Sequence, residues 1–151
     1  MSTLKSRLQS DLTAAIRSRD ELVSSTLRLT LTAITNEEVA GKIARELSDD
    51  EVLKVIVREA KKRREAAEAF ANGGRAESAA RERAEGEVLA AYLPAQLSDD
   101  DLRAIVADAI AQSGAAGPQA MGQVMKVVRP KIGDRAEGGR IAAEIKSQLA
   151  G

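Results

Sequence analysis

Four cations, Lys126, Arg129, Lys131 and Arg135, fall within ten residues where an apolar helical stripe gives way to a glycine-bearing loop over residues 133–139. A helix end followed by glycine can present side-chain cations and backbone amides together, the combination that holds a phosphate. The competing explanation is an ordinary basic helix C-terminus, whose cations answer the negative end of the helix dipole. Charge around these residues is segregated. From residue 121 onward Lys126, Arg129, Lys131, Arg135, Arg140 and Lys146 stand against Asp134, Glu137 and Glu144, a net +3, although the whole chain is neutral. Residues 98–112 carry Asp99, Asp100, Asp101 and Asp108 against Arg103 alone, a net −3. A nucleic acid would therefore be met by a local patch. Aromatic residues make up 1% of the chain, which argues against stacking on a single strand and leaves backbone and shape recognition of folded RNA.

Other candidate chemistry is thinner. The chain has no Cys and no His, which removes thiol and imidazole catalysis, disulfides and most zinc or copper sites. Lys61, Lys62, Arg63 and Arg64 form the densest basic run. Successive helical residues point about 100° apart, so the four cannot share one flat patch. Glu59, Glu65 and Glu68 lie within one helical turn of them, which predicts a solvated, salt-bridged face. Asp99, Asp100 and Asp101 read as the acidic first turn of a helix, with no convergent carboxylate to make a hard-cation site. Ser24 and Ser25 with Lys54 or Lys126 have no glycine-rich elbow or oxyanion motif around them for Ser–Lys hydrolysis. No catalytic residue, metal or cofactor is expected.

The elements that must position the cations are helical. Hydrophobic residues are 44% of 151, and Ala, Leu, Glu, Arg and Lys recur at helical spacing, which predicts an all-α chain. Leu4, Leu8, Leu12, Ala15 and Ile16 outline a first helix ending near Asp20; Val23, Leu27, Leu31 and Ile34 outline a second, antiparallel to it. Ser48 and Glu51 match a capping box before a long third helix with Val52, Val55, Ile56 and Ala60 on its stripe, closed by Asn72, Gly73 and Gly74. A fourth, over about 75–93, is expected to pack through the small face Ala80, Ala84, Val88 and Ala91. Pro94 then ends the helical run, and Ser98 caps the next one. Tyr92, Leu93, Pro94, Leu97 and Ser98 thus read as a hinge between an N-terminal four-helix domain, residues 1–93, and a C-terminal three-helix domain, residues 94–151. Tyr92, one of only two aromatics, is expected to pack at that junction and fix the angle between the halves.

In the C-terminal part Leu102, Ile105, Val106, Ala109 and Ile110 mark one helix ending at Gly114. Met121, Val124, Met125 and Val128 mark a second, stopped by Pro130 with Gly133, and Ile141, Ile145 and Leu149 mark the last. LSDDEVL at 47–53 is echoed by LSDDDLR at 97–103, which reads as shared helix-start grammar rather than a repeat, because the likeness fades beyond the cap. The opening residues lack an apolar leader and no segment approaches the ~18 apolar residues of a membrane span, so a soluble, cytoplasmic protein is expected.

EVLAAYLPAQLSDDDL at 87–102 is similar to the central signature of the YqeY proteins, small GatB/YqeY-domain proteins. MGQVMKVVRPKIGDRAEGGRIAAEIKSQL at 121–149 resembles their end and the tail of GatB, the B subunit of glutamine-dependent aminoacyl-tRNA amidotransferase. RLTLTAITNEEV at 28–39 and REAKKRREAAEAFANGGR at 58–75 resemble the YqeY N-terminal half. The resemblance implies the same two helical parts, the second shared with the GatB tail. In the amidotransferase that tail contacts the body of the tRNA, so the resemblance favours RNA for Lys126, Lys131, Arg135 and Lys146, and Arg129 and Arg140 join them as RNA-binding candidates from the same basic segment. Where GatB tails carry a basic GKA-type motif, this chain has Gly133, Asp134, Arg135 and Ala136, with an acid in the loop. A carbon–nitrogen ligase label with glutamine as amide donor could follow by resemblance, but glutamine hydrolysis and substrate activation belong to amidotransferase parts absent from this sequence. The partners expected are tRNA, amidotransferase subunits or another protein. The competing reading is a protein-interaction module that holds a partner helix around Tyr92.

Overall fold

At Ser2, Asp20, Ser48 and Ser98 a helix start is written into the chain by a side-chain oxygen that stands in for the missing backbone partner of the first turn. The computed structural model, which describes residues 2–150, shows all-α architecture: seven α-helices and two short 3-10 turns, with no strand among the described residues. Helix α1 runs Thr3–Ser18, α2 Glu21–Glu38, α3 Asp49–Asn72, α4 Ala76–Ala90, α5 Asp99–Ser113, α6 Met121–Ile132 and α7 Gly138–Ala150. The 3-10 turns are Pro118–Ala120 and Gly133–Arg135. The chain divides between Leu93 and Pro94 into two compact units.

In the N-terminal unit α1 and α2 form a hairpin. Asp20 accepts from Val23 N–H at 3.1 Å to cap α2, and Arg19 takes the left-handed conformation, φ 60°, that closes α1. Ser48 and Glu51 form the reciprocal capping box at the start of α3. Leu8, Leu27, Ile34, Leu47, Val52, Ile56 and Leu89 are buried together, an aliphatic core with hardly a ring in it. Branched aliphatics on helical stripes bury enough apolar surface to hold such a bundle without aromatics.

Helix α4 packs differently from the pattern expected of it. Ala80 and Ala91 are exposed and Ala84 and Val88 only half-buried, whereas Ala79, Glu85 and Leu89 are buried. The packed stripe is offset because α4 meets α3 through ionic contacts as well as small residues. Arg63 reaches Glu82 and Glu85 at 3.4 Å and Glu59 at 3.9 Å. Arg81 adds a 2.9 Å bond to Glu85 and a 3.0 Å bond to Glu21 at the start of α2. Lys61–Glu65 and Lys62–Glu59 make salt bridges as the spacing suggests. Glu59 and Arg63, however, point into the α3–α4 interface rather than into solvent, and Glu59 is only 5% exposed. Lys62 Nζ stands 2.9 Å from Glu59 Oε2 as an ion pair without the alignment of a hydrogen bond.

Tyr92 is likewise committed inside the N-terminal unit. Its hydroxyl donates to Asp11 and the Arg7 guanidinium lies 4.6 Å from its ring centre, so it clasps the end of the α4 segment to α1. Burial and Asp11 push its hydroxyl pKa up.

The C-terminal unit is a three-helix bundle of α5, α6 and α7 around Leu102, Val106, Val124, Val128, Ile132, Ile141 and Ile145. Ser98 accepts from Asp101 N–H at 3.1 Å to start α5, and Gly114, at φ 66°, ends it. Pro130 does not stop α6. The helix runs on to the buried Ile132, because a proline in the last turn forfeits one bond to the preceding turn while the core still rewards burial of Ile132. The turn comes at Gly133, φ 57°. Among the described residues no helix is long and apolar enough to cross a membrane.

Candidate nucleic-acid interface

Helix α6 buries Val124, Val128 and Ile132 on one side. At about 100° per residue the opposite side must carry Gln123, Lys126 and Pro130, with Arg129 and Lys131 on its flanks. All five are exposed. The helix contains no acidic residue, so it carries a formal +3. No ion pair links Lys126, Arg129 or Lys131 to an acid among the described residues, in contrast to Lys5, Arg45, Arg81 and the Lys61–Arg63 run. Helix α5, by comparison, holds Asp99, Asp100, Asp101 and Asp108 against Arg103, and Arg103 is engaged by Asp100 at 2.9 Å.

The other three basic residues singled out from sequence have different situations. Arg135 turns back on α6, donating from its guanidinium to the backbone oxygens of Lys131 at 2.6 Å and Ile132 at 3.3 Å, so it satisfies carbonyls that a helix end leaves open. Arg140, at the start of α7, donates to the Leu97 carbonyl at 2.6 Å and to Asp99 at 2.9 Å. It ties the entry of α5 to α7. Lys146 is exposed on α7. Arg129 leans toward the start of α7, where its Nη1 stands 3.0 Å from the place a Cβ on Gly138 would occupy. The absence of a side chain there leaves the guanidinium its room.

The hinge residues divide between the units. Leu93 packs with Tyr92 against the N-terminal core. Leu97 packs against the C-terminal core, its N–H donating to the Arg135 carbonyl at 2.8 Å. Leu47 and Leu97, the matching leucines of the echoed text, therefore do the same job, each seating an apolar side chain just ahead of a serine cap.

A family model for Yqey-like proteins matches residues 5–149. The chain belongs to the YqeY-like family. A comparison with curated proteins finds no match to it.

Two features of this YqeY-like chain escape a reading of its sequence. The first is that Arg135 and Arg140 are consumed by backbone carbonyls, which no charge count reveals; the carbonyls of a helix end and of a loop become acceptors only once the chain has turned. The second is the buried set around Glu59, Glu85 and Arg63. Its signal was the close spacing of Glu82 and Glu85 on α4, complementary to Arg63 on α3, but the alternating charges of both helices resemble an ordinary wet surface.

Proposed function

We propose that this YqeY-like protein is an RNA-binding accessory module that meets tRNA through the outer face of α6, with Lys126, Arg129 and Lys131 as the phosphate contacts. The observation that carries the reading is the unneutralised +3 of α6, in a chain whose net charge is zero. Ordinary surface charge is interspersed and largely self-paired, as the N-terminal unit illustrates; a helix of one sign with exposed, unpaired cations attracts a polyanion. Arg135 and Arg140 support that face from behind, by closing the end of α6 and by fixing the start of α7, and Lys146 adds to the positive field. The GatB-tail likeness of this same stretch favours tRNA over other RNAs. The association with glutamine-dependent amidotransferase belongs to the same reading: the module would bring or hold tRNA, and the amide chemistry would lie with the enzyme's own subunits.

The test is a titration of the intact chain against tRNA at low salt, beside a variant carrying Lys126→Glu, Arg129→Glu and Lys131→Glu. All three side chains are exposed, so the variant should unfold at nearly the native temperature while losing most of its affinity. A variant that binds tRNA as well as the native chain would reject this face.

A further inference from the structure

If α6 is the RNA face, its geometry also selects the kind of RNA. Taking the direction opposite Val124, Val128 and Ile132 as outward, Lys126 lies within about 20° of it, Arg129 about 80° to one side and Lys131 about 120° to the other. The ridge between the flanks is made of Gln123, Lys126 and Pro130, uncharged but for Lys126. A cationic ridge meant for a single strand would gather its charges along one line. Here they straddle a helix about 10–12 Å across, which suits two phosphate strands, one on each side. In A-form RNA the minor groove is wide and shallow and lined by 2′-hydroxyls, so a helix can lie against it, whereas the deep, narrow major groove excludes one.

The aromatic residues support the same choice. Single strands are held by stacking bases on exposed rings. Both rings in this chain are occupied, Tyr92 by Arg7 at 4.6 Å and Phe70 by Arg75 at 4.9 Å. Neither belongs to the C-terminal unit.

We propose that α6 seats in the minor groove of an A-form RNA duplex, Arg129 and Lys131 each contacting a different strand and Lys126 entering between them. This rests on the RNA reading of α6 and goes beyond it by choosing a stem rather than a loop or a free end as the bound element.

The intact chain would be titrated against an RNA hairpin stem of roughly 16–20 base pairs, the DNA duplex of the same sequence, the unpaired single strand, and tRNA. The expected order is RNA duplex tighter than DNA duplex and tighter than single strand. Arg129→Ala and Lys131→Ala should each lower the salt slope on the RNA duplex by about one. Equal or tighter binding to the single strand, or a slope that responds to only one of the two flanks, overturns the groove geometry. Binding to tRNA without binding to the stem also overturns it, while leaving α6 as an RNA face. No binding to any of the four removes both readings.

Discussion

Arg63 lies where three carboxylates converge, and replacing it measures how strongly the N-terminal unit depends on charge inside its helix interface. In Arg63→Met the aliphatic volume is largely kept, and Glu59, Glu82 and Glu85 lose a shared cation at 3.4–3.9 Å. Two of the three, Glu59 and Glu85, are buried. Stranding a buried charge costs roughly 3–5 kcal/mol. Here Lys62 remains 2.9 Å from Glu59 and Arg81 remains 2.9 Å from Glu85, which places the loss at the low end, about 3 kcal/mol. For a unit of this size that lowers the thermal midpoint by roughly 12–24 °C. Lys61→Met supplies the control, since its ion pair with Glu65 is 3.8 Å long and exposed, and should change stability by less than about 0.5 kcal/mol. Adding Glu59→Gln and Glu82→Gln to Arg63→Met should restore more than half of the loss, because Glu85 is then the one carboxylate of the three still charged and it keeps Arg81 at 2.9 Å. Urea unfolding followed by circular dichroism reads all four proteins. An Arg63→Met loss under about 1 kcal/mol, or no recovery in the triple variant, would refute an electrostatic role for the cluster.

Three further outcomes follow from the same unit. Tyr92→Phe removes the hydroxyl that donates to Asp11 but keeps the ring under Arg7, and should cost about 1 kcal/mol in urea unfolding. Gly86→Ala should raise stability by about 0.5–1 kcal/mol: Gly86 lies inside α4, and a Cβ there meets the Cβ of Arg63 at an ordinary 3.7 Å. Acid titration should expose the clamp at the helix starts. The Ser2 and Thr3 hydroxyls and the Leu4 N–H hold Asp49 down to about 2, Arg45 and Ser48 hold Glu51 down to about 2, and Lys5 lowers Glu38. Carboxylates whose folded pKa lies below the unfolded value contribute in full above about pH 4.5 and lose that contribution as pH falls toward 2. Stability of Asp49→Asn should therefore fall less steeply than the native chain's between pH 4.5 and 2; parallel curves would show that Asp49 contributes nothing to the acid response.

Most of the helix boundaries were legible because they are set locally. Ser48 and Ser98 each announce a start through a side-chain oxygen, Asp20 marks the break that it then caps, and Gly114 and Gly133 each supply a positive φ at an end. What was not legible depends on partners far along the chain. The face of α4 follows from Arg63 on α3, and periodicity in an alanine- and charge-rich helix points almost equally to several faces. Pro130 looked like a stop because the rule for proline is local, while the burial of Ile132 that carries α6 past it is not. The cations of the C-terminal unit were visible as a group, but their division into exposed Lys126, Arg129 and Lys131 and engaged Arg135 and Arg140 needed the positions of the Lys131, Ile132 and Leu97 carbonyls.

The measurement that bears most directly on the account is the salt dependence of tRNA affinity. Neutralising about three phosphates predicts a slope of log K against log salt of about −2.1 to −2.7, a loss of roughly 20- to 40-fold between 50 and 200 mM. Lys126→Ala should flatten the slope by about one. Arg140→Gln, which removes contacts to Leu97 and Asp99, should lower the stability of the C-terminal unit and leave the slope near its native value. A slope near zero, or one that Lys126→Ala leaves unchanged, would contradict α6 as the face that meets RNA.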